Sequence, residues 1–259
     1  MHSLLHRTFT TTVAASRWAW RESVHFAYPQ TCVHCEAGAE GMFCEACEAG
    51  WSATLAEPCC FACGRPVADA EAPCTWCGGN GRRRLDRVAR LGVLNGPLQS
   101  AVIAQKYKSQ WWIAERLADT LADRPMARSV LADAHVIVAV PLHWSRRVSR
   151  GYNQAAVIAD MLGKRRGVPV VRPAVRHRRT LPQVRTKSMR ERWENVRDAF
   201  RLTNPDAVAG KRVVIVDDVM TTGSTIGALA RAIDPAGPEA ISAVVLAVAD
   251  PKHSDFERK

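Results

Sequence analysis

Short, continuously apolar runs alternate with segments of helical periodicity through the last two thirds of the chain. Ile113, Leu117 and Leu121 recur at the spacing of one helix face. The runs are apolar at every position, which is typical of strands buried on both faces of a parallel sheet. The pattern predicts strands at 88–94, 136–140, 213–216 and 241–248, and helices from Pro97, near 113–121, at 152–162 and at 225–233. We therefore expect an α/β domain with a parallel sheet flanked by helices.

The first 30 residues follow another pattern. They carry Arg7, Arg17 and Arg21 but a single acid, Glu22. The segment fits an amphipathic helix over about 12–27, and its composition also fits an organelle transit peptide. It fits a secretory signal poorly, and no run reaches the roughly 18 apolar residues of a membrane span. We expect no membrane span, a reducing compartment and a cytoplasmic location.

Charge is distributed unevenly along the chain, with an acidic segment near the start and a basic segment in the centre. The 259 residues are 47% hydrophobic and 24% charged, with a net charge of +11. The hydrophobic fraction is too high for a disordered chain. Residues 141–201 carry 16 basic and 4 acidic side chains, whereas residues 31–77 carry 1 basic and 7 acidic ones. The basic centre favours anionic partners such as phosphates or nucleic acid. We predict a helical segment at 1–30, a cysteine-rich domain at 31–82, the α/β domain at 85–250 and a tail at 251–259.

The cysteine-rich domain has the spacing of metal knuckles. Eight of the nine cysteines form four C-x-x-C pairs: Cys32/Cys35, Cys44/Cys47, Cys60/Cys63 and Cys74/Cys77. Two such knuckles complete a tetrahedral S4 zinc site, and S4 sites are normally structural. Disulfides are disfavoured in a reducing compartment, and thioredoxin-like chemistry uses one such pair on a βαβ unit. The spacing favours one zinc per half and leaves interleaved pairing open, with Cys59 as a spare thiol or alternative ligand.

The most informative string is VVIVDDVMTTGST, residues 213–225. A buried strand delivers Asp217 and Asp218 at its C-terminal end, where open α/β sheets bind ligands. The loop Thr221–Thr225 then leads into a helix N-terminus, which together with hydroxyl groups forms a phosphate cradle. Two carboxylates beside a phosphate suit ribose hydroxyls or Mg²⁺. A Walker B strand would need an upstream P-loop, which this sequence lacks, and a response-regulator pocket would not explain TTGST.

This string resembles the phosphoribosyl pyrophosphate motif of type I phosphoribosyltransferases. Three further strings narrow the resemblance to the ComF family, in which a double zinc ribbon precedes that domain. They are LDRVARLGVLNGPLQSAVIAQKYK (85–108), VPLHWSRRVSRGYNQA (140–155) and RHRRTLPQVRTKSMRERWENVRDAF (176–200). The resemblance implies a type I phosphoribosyltransferase fold with bound phosphoribosyl pyrophosphate, Mg²⁺ and structural Zn²⁺. Ala139 departs from the family, since many relatives have proline there.

The resemblance also assigns residues. It implies that Asp217 and Asp218 contact the ribose and Mg²⁺, and that Pro141 and Leu142 contact pyrophosphate. It implies that a mobile loop, Arg178–Arg192, closes over the substrate, with Arg178 and Arg179 as catalytic cations. The 5-phosphate would be held by Thr221, Thr222, Gly223, Ser224 and Thr225. The string at 140–155 also contains Arg150, Asn153 and Gln154. For these residues the sequence leaves two alternatives open: a catalytic role, or a capped helix start with a structural amide.

Two functions from different classes remain open on the sequence. The first is a phosphoribosyltransferase of nucleotide metabolism that acts on an unidentified nitrogen acceptor. The second is a non-catalytic protein of natural competence and DNA uptake, which binds phosphoribosyl pyrophosphate or single-stranded DNA, with competence proteins as further partners. The basic centre serves both functions because arginines bind pyrophosphate and DNA backbone alike. The basic centre could instead be a solvated basic face. A degenerate pocket in a scaffold protein is the third alternative for the function.

Overall fold

The computed structural model describes residues 31–55, 57–69, 73–78, 85–106, 110–178, 196 and 198–249. The helix predicted over 12–27 and the tail lie outside these residues. Contacts divide the chain into two compact units, Met1–Ala49 and Gly50–Lys259. The division separates the first cysteine half from the second, and the predicted domain bounds remain a prediction. Nowhere in the described residues is a helix long and apolar enough to cross a membrane.

The first unit is built around two turns. Thr31 and Gly38 form an isolated antiparallel bridge, and the Val33 N–H donates to the Met42 carbonyl at 3.0 Å. Helix α1 (Glu45–Leu55) begins directly after Cys44. Met42 and Phe43 are buried, so a few apolar side chains support the cysteines of this unit.

The second unit contains a five-stranded parallel sheet in the order β1-β7-β6-β2-β3, and a two-stranded antiparallel sheet of β4 and β5. The strands are β1 (Val88–Val93), β2 (Val136–Ala139), β3 (Val170–Val171), β4 (Ala174–Arg176), β5 (Phe200–Leu202), β6 (Arg212–Met220) and β7 (Ala240–Val248). Every residue of β1 is buried, as are eight of nine in β7. The predicted parallel sheet is confirmed, since continuously apolar strands need cover on both faces.

Six helices of the second unit follow α1 in the described residues. They are α2 (Gly96–Ala104), α3 (Trp111–Ala122), α4 (Pro125–Ala132), α5 (Trp144–Arg150), α6 (Gln154–Arg166) and α7 (Ser224–Ile233), with 3₁₀ turns at Pro205–Ala207 and Asp234–Ala236. Ile113, Leu117 and Leu121 are fully buried on one face of α3, as their spacing predicts. α6 ends at Gly167, whose φ of 68° is left-handed.

The strand that carries the acid pair is longer than the sequence pattern predicts. β6 continues past Val216 to Met220 because its backbone keeps pairing with β7: Asp217 lies opposite Val245, and Met220 lies opposite Val248. The acids therefore lie within the last hydrogen-bonded residues of β6 rather than after the strand. Thr221 follows immediately, so the ladder fixes where the next loop starts.

Candidate active site and metal centres

Four thiols of the first unit converge. The Sγ atoms of Cys32, Cys35, Cys44 and Cys47 lie within 4.8 Å of one another, and those of Cys35 and Cys44 are 3.6 Å apart. A tetrahedral site with Zn–S bonds of about 2.3 Å has S···S edges of about 3.8 Å. This cluster, the first centre, has the donor set and the spacing of a closed zinc site.

The second unit repeats the arrangement with Cys60, Cys63, Cys74 and Cys77, which form the second centre. The Cys60–Cys77 and Cys63–Cys74 sulfurs are each 3.7 Å apart. One four-cysteine site therefore lies in each half, and the interleaved pairing that the spacing left open is excluded. All nine cysteines are free thiols. Both clusters support structural zinc.

The second centre is closed by two glycine turns. Gly64 and Gly78 each follow the last cysteine of a pair, with φ values of 71° and 59°. Their N–H groups donate to the Cys60 and Cys74 carbonyls at 2.8 Å. Both glycines thus take the left-handed backbone that a knuckle commonly needs when it aims two sulfurs at one point.

Cys59 lies outside the second centre although it adjoins Cys60. Its half-buried thiol contacts the Met126 sulfur at 4.0 Å, and its backbone bridges to Pro66. Of the two roles that the sequence left open for Cys59, packing fits this position and metal ligation does not.

Zinc content tests this assignment. We expect two zinc ions per chain, one in Cys63→Ser and two in Cys59→Ser, because an S4 site that loses a thiolate loses much of a binding free energy of about 10–16 kcal/mol. Native mass spectrometry of the purified variants measures the stoichiometry. A Cys59→Ser protein with one zinc would contradict the packing role of Cys59.

The acid pair organises the backbone that follows it. Asp217 Oδ1 accepts the Asp218 N–H at 2.9 Å, and Asp218 Oδ1 accepts the Val219 N–H at 2.8 Å. Burial raises the pKa of Asp217 well above its ordinary value, and the Asp218 carboxylate raises it further, against the lowering effect of the Arg176 guanidinium. The pair is therefore short of positive charge, and a cation or hydroxyl donors would stabilise its ionised form.

The loop after β6 turns into the N-terminus of α7. Gly223 takes a left-handed φ of 69° at the helix start. The Thr222 hydroxyl donates to the Ser224 Oγ at 3.0 Å and accepts the Ser224 N–H at 3.3 Å. Both side chains are buried, so they shape the loop from inside while the helix N-terminus favours an anion.

A cavity of about 340 Å³ joins the acid pair to this loop. Six of the residues predicted to contact the ligand line it together: Pro141, Leu142, Asp217, Asp218, Thr221 and Thr225. Thr222, Gly223 and Ser224 are not among its lining residues. Of the two predicted catalytic arginines, Arg178 is exposed and is not among the lining residues. Arg179, like residues 180–192 of the predicted mobile loop, lies outside the described residues.

Three cations that sequence reasoning did not single out line the same cavity: Lys106, Arg146 and Arg176. Arg176, the last residue of β4, stacks over Phe200 at 5.4 Å. Burial and the nearby Arg146 lower the pKa of Arg176 to about 10, while Asp217 opposes the shift. β4 has three residues, too few to show an alternating pattern, so the sequence carried no signal for the arginine that faces Asp217.

The RGYNQ string holds the pyrophosphate-loop candidate in place. Asn153 Nδ2 donates to the Val140 carbonyl at 3.1 Å, although its side chain does not cap α6. Arg150 donates to Gln154 Oε1 at 3.4 Å. The structural role of the Asn153 amide is therefore confirmed. The prediction that its side chain caps α6 is wrong, because Asn153 stands at the N-cap position without a capping hydrogen bond. All three side chains also line the cavity.

Comparisons with known proteins cover both units. Residues 148–259 match the phosphoribosyl transferase domain family, and residues 23–78 match the double zinc ribbon domain family. Competence protein F of Haemophilus influenzae is 29% identical over 81% of this chain and 93% of its own length. The DNA utilization protein YhgH of Salmonella typhimurium is 35% identical over 66% of this chain and 76% of its own length.

Among solved structures, the purine phosphoribosyltransferase of Pyrococcus horikoshii overlaps 53% of this chain and 74% of its own, at 21% identity and a TM-score of 0.33. A TM-score of 0.33 is too low to support the fold assignment. The assignment follows from the sheet order and the family matches. The chain combines a match to the double zinc ribbon family with a match to the phosphoribosyl transferase family, and it is 35% identical to a relative of which it covers 76%. It therefore belongs to the ComF family.

Proposed function

We propose that this chain binds phosphoribosyl pyrophosphate with Mg²⁺ and transfers the ribose 5-phosphate to a nitrogen acceptor. The observation that carries the proposal is the single cavity shared by the acid pair, the loop at the start of α7 and the Pro141–Leu142 turn. In this cavity Asp217 and Asp218 would accept hydrogen bonds from the ribose hydroxyls, and Thr221 and Thr225 would donate to the 5-phosphate.

The acid pair also fits a magnesium ion. Hard divalent cations prefer carboxylate oxygens, and burial leaves Asp217 short of compensating charge. When bound, Mg²⁺ would neutralise oxygens of the pyrophosphate group. Asp217 and Asp218 are the residues that would hold the Mg²⁺ ion. They would do so directly with their carboxylates, or indirectly by binding the ribose hydroxyls that contact the ion.

Transfer requires that negative charge be stabilised on the leaving group. The nitrogen lone pair forms a bond to C1 while the bond from C1 to the pyrophosphate oxygen breaks, and that electron pair leaves with pyrophosphate. A proton is lost from the acceptor nitrogen to water. Lys106, Arg146 and Arg176 line the cavity and would stabilise the departing charge, because preorganised cations act strongly in a partly dry site.

A second candidate function, binding of single-stranded DNA, is supported by exposed apolar side chains on the helix that borders the cavity. Trp144 and Val148 on α5 are each 70% exposed, and their spacing of four places them on one helix face. Arg146 and Arg150 of the same helix line the cavity beside them. An exposed indole next to cations suits a stacked base over a phosphate backbone, and relatives carry names that refer to competence and DNA utilization.

Calorimetric titration of phosphoribosyl pyrophosphate tests the first proposal. We expect saturable binding with Mg²⁺, little binding when Mg²⁺ is omitted, and a loss of at least about 100-fold in the Asp217→Asn/Asp218→Asn variant, since two charge-assisted contacts are removed. Zinc content is measured on every sample, so that the comparison is made on loaded protein.

Absence of binding by folded, zinc-loaded protein would overturn the transferase proposal. Titration of an oligonucleotide at two salt concentrations then tests the second candidate. DNA binding that neutralises several phosphates weakens steeply with salt, whereas binding in a magnesium-dependent cavity responds mainly to the metal. Binding of phosphoribosyl pyrophosphate without turnover across a panel of nitrogen acceptors would favour a non-catalytic role.

A further inference from the structure

The second centre is packed into the core of the phosphoribosyltransferase domain. A Cβ atom placed on Gly64 would lie 2.9 Å from Val88 Cγ1, 3.2 Å from Val248 Cγ2 and 3.6 Å from Met220 Cε. These side chains belong to β1, β7 and β6. The backbone beside Cys63 therefore touches three strands of the sheet at a distance that leaves no room for a side chain.

The same knuckle also completes an edge of the sheet. β1 is the outermost strand on its side, and the Val88 N–H donates to the Phe61 carbonyl at 2.7 Å. Val88 is fully buried. The loop between Cys60 and Cys63 thus covers the start of an edge strand whose N–H would otherwise lack a partner inside the fold.

Met220 links this contact to the candidate active site. It is the last residue of β6, it is buried, and its carbonyl accepts the Ala249 N–H at 3.0 Å. Thr221, which lines the cavity, follows it directly. A close-packed interior transmits a displacement of one side chain to its neighbours, so a shift of the knuckle at Gly64 reaches the first residue of the phosphate loop.

We propose that the second centre is a positioning element for the loop Thr221–Thr225, acting through the packing of Gly64 against Val88, Val248 and Met220. This inference rests on the proposed phosphoribosyl pyrophosphate site for its effect on affinity. The order of the loop itself does not depend on that proposal. The second centre thus does more than hold a ribbon together: its geometry sets where the phosphate cradle begins.

The chain offers a matched pair of glycines for the test. Gly64 and Gly78 both follow the last cysteine of a knuckle in the second centre and both have left-handed φ, but a Cβ on Gly78 meets nothing within 4 Å. Backbone strain is therefore shared by Gly64→Ala and Gly78→Ala, whereas the collision is confined to Gly64→Ala. The difference between the two variants isolates the contact with the sheet.

We measure hydrogen exchange over residues 220–225 and the Kd for Mg²⁺-loaded phosphoribosyl pyrophosphate. We expect faster exchange at these residues and at least about a tenfold rise in Kd for Gly64→Ala relative to Gly78→Ala, since a methyl group forced into a packed core displaces its neighbours. Exchange in β2, at residues 136–139, should be equal in the two variants. In Gly64→Ala/Val88→Ala, the removed Val88 Cγ1 makes room and should recover part of the affinity.

Two results would overturn the inference: equal exchange and equal Kd for the two glycine variants, or faster exchange spread evenly over β2 and the loop, which is general destabilisation. If Gly64→Ala does not fold, the double variant with Val88→Ala takes its place in the same comparison with Gly78→Ala. If wild-type protein binds no phosphoribosyl pyrophosphate, the proposed function fails, and the exchange comparison still decides the positioning role.

Discussion

Replacement of Asp217 by Asn should raise the stability of the free protein and weaken its binding of phosphoribosyl pyrophosphate, by less than the double Asp217→Asn/Asp218→Asn variant does. Burial and the Asp218 carboxylate raise the pKa of Asp217 well above its ordinary value, so ionisation of this carboxyl lowers the free energy of unfolding. Asn keeps the oxygen that accepts the Asp218 N–H and removes the charge. Each kcal/mol of desolvation and repulsion relieved should add about 2–4 °C to the melting temperature.

The pH dependence gives this prediction a sign that can be checked. A group whose folded pKa is raised contributes stability below its unfolded pKa and loses it as pH rises through the folded value. The advantage of Asp217→Asn over wild type should therefore be absent near pH 4 and grow towards pH 8. Thermal melts without Mg²⁺ measure it, and a variant that melts below wild type at pH 8 would contradict the assigned cause.

The acid pair could be found from sequence because one element carries all of its signal. The run 213–216 is continuously apolar, the carboxylates follow without a gap, and the small and hydroxylated residues 221–225 come next. Strand burial, ligand position and phosphate chemistry are each local consequences of that order. The cysteine pairs are predictable for the same reason, since a knuckle needs just two intervening residues.

The rest of the site depends on contacts between distant parts of the chain. Arg176 enters the cavity because β4 pairs with β5, and neither three-residue strand has a readable periodicity. Gly64 is recognisable as a knuckle glycine, but its approach to Val88, Met220 and Val248 follows from the tertiary fold alone. The contacts of Arg176 and Gly64 could not be predicted from the sequence, because local residue spacing does not indicate which strand a loop will contact.

Arg176→Ala should weaken binding of phosphoribosyl pyrophosphate by roughly 10- to 100-fold, the cost of losing a hydrogen bond from a charged group in a partly buried site. The guanidinium lines the cavity and acts on Asp217, so the proposed site would lose positive charge where the ligand is most anionic. Arg176→Lys should recover part of the affinity, because it keeps the charge and loses the planar stacking over Phe200. Calorimetry at constant Mg²⁺ measures the three dissociation constants.

Arg172→Ala is the matched control, since Arg172 precedes β4, is exposed and does not line the cavity. We expect its dissociation constant to stay within about threefold of wild type, as for other exposed charges. Arg178→Ala separates the structural expectation from the one that the family resemblance implies. A loss in Arg178→Ala equal to that in Arg176→Ala would mean that the exposed arginine reaches the ligand when it binds. A loss of affinity in Arg178→Ala alone would mean that Arg178, at the start of the predicted mobile loop, contacts the anion and that Arg176 does not.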